Sequence, residues 1–274
     1  MANLLRSAKS GSDWGENELY VFNIGIANED TYEFFGHPLP DQLDVSPVIL
    51  SNIDEPPDAT KADIDFFAYL EDAIAVPPDE ESFVDDFASI VLKLMGYDSG
   101  RRIIHQQKEL SFEMCGQRVS AKTDVCVMEC GGAARYLLLV QKDKEHDRHL
   151  SSVNPEPQLV AEAFYQNNKG RERIGLATIA HAVIPGITMI GRAPTFFKIP
   201  VSEALVKAIV TGQYPAFAMT VQRLVPPVPD RLNYMIQGMK PLENRRVVFQ
   251  CFQAFKALVY QLAGSVACYQ PAGV

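Results

Sequence analysis

Two apolar runs separated by a glycine pair constrain this chain most. "TDVCVMEC" (123–130) and "YLLLV" (136–140) flank "GGAAR". Extended apolar segments joined across a Gly-Gly turn fold back on one another as a β-hairpin. Each strand is apolar on both faces, so the hairpin needs cover on both sides and belongs inside a layered α/β or α+β domain. The second strand then changes abruptly to "QKDK" (141–144), a polar cluster at the end of a buried strand.

The elements around the hairpin fit that architecture. Residues 79–97, "DEESFVDDFASIVLKLMGY", carry acids in the first turn, apolar residues at helical spacing and a glycine stop at Gly96, which predicts a helix. Strands are expected over 102–117 and 119–130, and a helix over 155–168 with Pro155 and Pro157 at its start. More strands are expected within 178–202, a short helix closed by Gly212, and a long C-terminal helix over 243–267. Nearer the start, "ELYVFNIGIA" (18–27) reads as a strand and 62–74 as a short amphipathic helix. The acidic, Pro- and Asp-rich stretch between them reads as an irregular connection. The expected organisation is an acidic segment, 1–78, packed on a core formed by 79–274.

Charge follows the same division. Residues 1–98 hold 21 Asp/Glu against four Lys/Arg, and 99–274 hold 13 against 21. The local charges of −17 and +8 recover the net −9. Such asymmetry suits an anionic partner for the basic part, or an acidic segment that neutralises it; acidic surface loops explain it equally well. Five scattered cysteines suit reduced thiols and an intracellular protein. No apolar run is long enough for a membrane span and no secretory signal is evident.

In a hairpin centred near Gly132, Asp124 falls opposite Gln141 or Lys142, at about 5 Å across the ladder. Side chains alternate, so either Gln141 with Asp143 or Lys142 with Lys144 shares its face. A carboxylate beside a lysine at such a strand end suits phosphodiester hydrolysis. The acid ligates a divalent cation, and the lysine offsets phosphate charge and positions the attacking water. The bland reading makes Asp124 a hairpin-end acid and the lysines a solvated strand end. His146 and His149 read as loop residues, and Cys126 with Cys130 as half-buried thiols rather than zinc ligands. Neither a Walker-type nor a dinucleotide-binding glycine motif occurs, and there is no G-x-S-x-G elbow.

The sequence of an acidic helix start, "TDVCVM", "LLLVQKDK" and a helix with an early glutamine ("PEPQLVAEAF") resembles the PD-(D/E)XK nuclease superfamily over about residues 79–168. Over most of the chain it resembles a group of basidiomycete fungal proteins with a run like "LVQEDK" at this place, including "PGITMIGRAPTFFKIPV" and "ENRRVVFQCFQAFKAL". The resemblance implies a restriction-endonuclease-like core and a Mg²⁺- or Mn²⁺-dependent nuclease acting on DNA or RNA. It implies Glu81 (or Glu80) as the acid of the first helix, Asp124 as the metal-binding aspartate, Lys144 as the motif lysine and Gln158 as the helix glutamine. The departure is Lys142, where an acid is expected. An ammonium about 4 Å from a dication, at an effective dielectric of roughly 20, is repelled by several kcal/mol. Either a register shift brings Asp143 to the metal with Gln141 beside it, or cleavage is lost and the lysines only bind nucleic acid or a protein partner.

Overall fold

The computed structural model describes residues 6–73, 82–130, 135–142, 154–165 and 181–267. Among these, a single mixed sheet of seven strands organises the fold, in the order β1-β7-β6-β5-β4-β3-β2. The strands are β1 (Ile24–Asn28), β2 (Arg102–Met114), β3 (Gln117–Glu129), β4 (Arg135–Lys142), β5 (His181–Ile190), β6 (Ala193–Ser202) and β7 (Met219–Leu224). Helices cover both faces, as the doubly apolar strands require. Six of these helices bear on the description: α1 (Glu16–Val21), α2 (Thr31–Phe35), α3 (Pro47–Ser51), α4 (Lys61–Asp72), α5 (Ser82–Leu94) and α6 (Glu156–Tyr165). Two short ones follow, α7 (Glu203–Thr211) and α8 (Tyr234–Gln237), and then the long α9 (Leu242–Ala267).

β2, β3 and β4 form an antiparallel meander between α5 and α6, and β5 returns parallel to β4. Side-chain alternation splits the meander between two cores. Val125, Val127, Leu138 and Val140 point into one core with Phe66, Phe87, Phe249 and Phe252 of α4, α5 and α9. Cys126, Met128 and Leu139 point into the other with Trp14, Phe22, Leu159 and Phe164. Leu137 and Leu138 break the alternation, since both lie in the first core. A register irregularity against Val127 and Met128 explains this: Val127 pairs with Leu138 and Met128 with Tyr136, so Leu137 is the extra residue of a bulge.

Several expectations need correction. The segment 18–27 is not one strand. Glu16–Val21 is helical, with the Glu18 carboxylate accepting the Gly15 N–H at 2.9 Å, and Asn23 at φ 55 turns the chain into β1. The acidic connection holds two short helices. Asp30 and Glu33 close a reciprocal capping box on α2, and Ser46 caps α3, which has proline in its first turn. β7 is an added strand that joins β1 to the sheet.

A guanidinium ties the start of α9 to the end of α3. Arg245 is fully buried and donates to five carbonyls, those of Ile49, Asn52, Ile53, Met239 and Lys240, at 2.5–3.1 Å. It also lies 5.4 Å from the ring centroids of both Phe66 and Phe67. Burial lowers its pKa to about 10, so it still carries its charge at neutral pH. Among the described residues, no helix is long and apolar enough to cross a membrane.

Candidate functional site

The polar cluster expected at the end of the hairpin exists, and it spans both faces of the sheet. Val125 pairs with Val140, so Asp124 lies opposite Gln141 rather than Lys142. Gln141 follows Leu139 onto the α6 face and donates from Nε2 to Asp124 Oδ2 at 2.6 Å. The same Oδ2 accepts the backbone N–H of Lys142 at 3.0 Å. Asp124 therefore fastens the end of β4 as well as carrying a buried negative charge.

Lys142 turns the opposite way. It follows Leu138 and Val140 onto the α5 face, where its Nζ pairs with Asp85 Oδ2 at 2.9 Å. The side chains of Lys142 and Asp85 are only 7% and 4% exposed, so this is a buried ion pair. A lone ammonium here would be strongly destabilised by loss of hydration, and the carboxylate repays part of that cost.

Asp85 is the acid that α5 delivers, on the face that also buries Val84, Ala88, Val91 and Leu92. Its carboxyl is pushed up to about 6, first by burial and then by the charge of Asp124, while Lys142 opposes both. Asp124 is thus close enough to raise Asp85 through its charge, while the ammonium of Lys142 answers Asp85 from within the α5 face. Next to it, Gln106 Nε2 donates to Asp86 Oδ1 at 3.1 Å and Ser89 Oγ at 3.0 Å, tying β2 to α5.

Of the other expected site residues, Gln158 is placed on α6 against β3. It is buried and its Nε2 lies 3.5 Å from the Lys122 carbonyl, two residues before Asp124. One turn further, Glu162 is fully buried as well. Its charge acts on Cys126, whose thiol is pushed up to about 12, chiefly by burial. Glu81, Asp143 and Lys144 lie outside the described residues, as does Glu80.

Asp85 and Glu162 are the acids that sequence reasoning missed. The signal for each was an acid at an apolar position of its helix: Asp85 next to Val84 in "SFVDDFASIV", Glu162 in "QLVAEAF". Such an acid costs burial energy unless something answers it.

Among the described residues, Asp85 and Asp124 do not by themselves complete a cradle for a divalent cation. Mg²⁺ needs several oxygens in near-octahedral array. Here Asp85 Oδ2 is taken by an ammonium, and Asp124 Oδ2 by two N–H donors. Among the described residues no group of three or more His, Cys, Asp or Glu could hold a metal ion. Comparison with known proteins finds no matching family model and no matching curated protein.

Proposed function

We propose that this chain is a non-cleaving relative of the PD-(D/E)XK nucleases, in which Lys142 provides the positive charge that a bound metal would supply, and that it binds nucleic acid. The single observation that carries the reading is the buried 2.9 Å pair between Lys142 Nζ and Asp85, beside Asp124. A cation that is covalently part of the chain already neutralises Asp85, on the helix where the resemblance implies a metal-binding acid.

The order α5-β2-β3-β4-α6-β5, with an antiparallel meander and a parallel return strand, supports the resemblance. The cluster joins the middle of β3 to the end of β4, which is compatible with the positions that the resemblance implies for Asp124 and the motif strand. The positive balance of residues 99–274 supports a polyanionic partner. Arg118 and Lys122 on the β2–β3 hairpin, and Arg101 just before it, stand exposed, where phosphate contacts are made without burial cost.

Fluorescence anisotropy with labelled single- and double-stranded DNA and RNA tests this reading. Binding is expected to be equal in Mg²⁺ and in EDTA, to fall with salt, and to leave the oligonucleotide intact. The double substitution Arg118→Glu, Lys122→Glu is expected to weaken binding about tenfold or more and to flatten the salt dependence. Metal-dependent cleavage that disappears in Asp124→Ala would replace this reading with the catalytic one. Absence of binding to every oligonucleotide at low salt would end the nucleic-acid reading.

A further inference from the structure

A second cation stands at the same end of the sheet with its donors unused. β4 and β5 run parallel with Lys142 opposite Met189, and Arg192 lies in the turn that follows β5. Arg192 is 9% exposed, and its Nε and Nη1 are buried without a hydrogen-bond partner. Among the described residues no ion pair reaches it.

The surroundings sharpen the contrast. The guanidinium of Arg245, which burial and then the like charge of Arg192 depress, spends its donors on five carbonyls. Glu71, the acid whose charge Arg192 feels, is bonded to Lys240, which also holds Asp54 at 2.7 Å. Among the described residues, the carboxylates whose charge reaches Arg192 and Arg245, Asp54 and Glu71, are both bonded to Lys240.

The turn is also held firmly. The Met239 N–H donates to the Arg192 carbonyl at 3.1 Å, and Asn244 Nδ2 donates to the Gly238 carbonyl at 3.1 Å. Gly238 approaches so closely that a Cβ there would lie 2.3 Å from the Arg192 carbonyl oxygen, so only glycine permits the contact. A buried guanidinium whose Nε and Nη1 have no acceptor among the described residues is costly unless something completes it. Its flat, forked donor set matches oxoanions.

We propose that Arg192 is the recognition group of an oxoanion site at the β5–β6 turn, taking a singly charged phosphodiester or carboxylate group. The inference stands on the surroundings of Arg192 and does not need the nucleic-acid reading. Thermal unfolding in the presence of sodium dimethyl phosphate or sodium acetate, each against sodium chloride at equal ionic strength, tests it. At least one of the two is expected to raise the wild-type Tm saturably by a few degrees beyond the chloride control. A rise with dimethyl phosphate alone assigns a phosphodiester; a rise with acetate alone assigns a carboxylate. Arg192→Met is expected to lose that response and to unfold, without added oxoanion, at a temperature no lower than the wild type. A wild-type response no larger than that to chloride overturns the proposal, whatever the variant does. So does an equal response in Arg192→Met, or a marked loss of stability in that variant before any oxoanion is added, which would make Arg192 a structural residue.

Discussion

Replacing Lys142 by methionine is expected to destabilise the fold by about 3–5 kcal/mol, the usual cost of leaving one member of a buried ion pair uncompensated. Methionine fills a similar volume, so the loss reports charge rather than a cavity. Asp85 would then be buried near Asp124 without its cation. Adding Asp85→Asn to Lys142→Met is expected to restore a large part of the loss, because the orphaned carboxylate is removed. A double-mutant cycle by urea unfolding measures the coupling, which is expected to exceed about 2 kcal/mol. A coupling near zero would mean that the pair contributes only contact.

The same cluster sets a pH signature. The Asp85 carboxyl is at about 6 in the folded protein, above its ordinary range in an unfolded chain. Between roughly pH 4 and 6 the folded state therefore binds more protons at this site than the unfolded state does. The contribution of Asp85 to stability falls as pH rises through that window and is level above it. The stability of the wild type relative to Asp85→Asn is expected to decline by about 2–3 kcal/mol from pH 4 to pH 6.5. An unchanging difference would mean that Asp85 titrates normally.

The second large effect concerns Arg245. Arg245→Met removes the donors of five carbonyls, and each buried acceptor left unanswered costs roughly 1–3 kcal/mol, less than additively because some can turn to water. A net loss of about 4 kcal/mol or more and a fall in Tm of about 10 °C are expected. Arg245→Lys is expected to recover little, since an ammonium has three donors on one centre and cannot span the spread of carbonyls. Amide exchange should rise first over residues 47–54, because Arg245 holds the Ile49, Asn52 and Ile53 carbonyls from the far side of the chain. Uniform acceleration across the sheet instead would mean that the arginine supports the whole fold rather than this corner.

Much of the framework was legible in the sequence because burial writes a period into it. The hairpin strands, α5 and α9 follow directly from apolar spacing. The first strand was not legible, because "ELYVFNIGIA" is apolar enough to suit either state, and its division depends on the Glu18 cap and the positive φ of Asn23. The Asp30–Glu33 capping box was present as D-x-x-E but lay inside a stretch dominated by Pro and Asp. The site was half legible. Asp124 and the polar end of β4 stand out as charges on an apolar strand. Which of Gln141 and Lys142 faces Asp124 turns on a single residue of register, and a slip of one exchanges the two faces. The same ambiguity hid Asp85: among the acids of residues 79–86, only the rotation of α5 decides which one reaches Lys142.

The central proposal is that the Lys142 ammonium, paired with Asp85 near Asp124, holds the place of a divalent cation. Calorimetric titration of Mn²⁺ into the wild type and into Lys142→Glu tests it most directly. The account predicts no Mn²⁺ binding that depends on Asp85 or Asp124 in the wild type. It predicts saturable binding in Lys142→Glu, where a further carboxylate joins Asp85 and Asp124 at this strand end, and loss of that binding when Asp124→Asn is added. Wild-type binding that Asp85→Asn or Asp124→Asn abolishes would contradict the claim and return the site to metal chemistry.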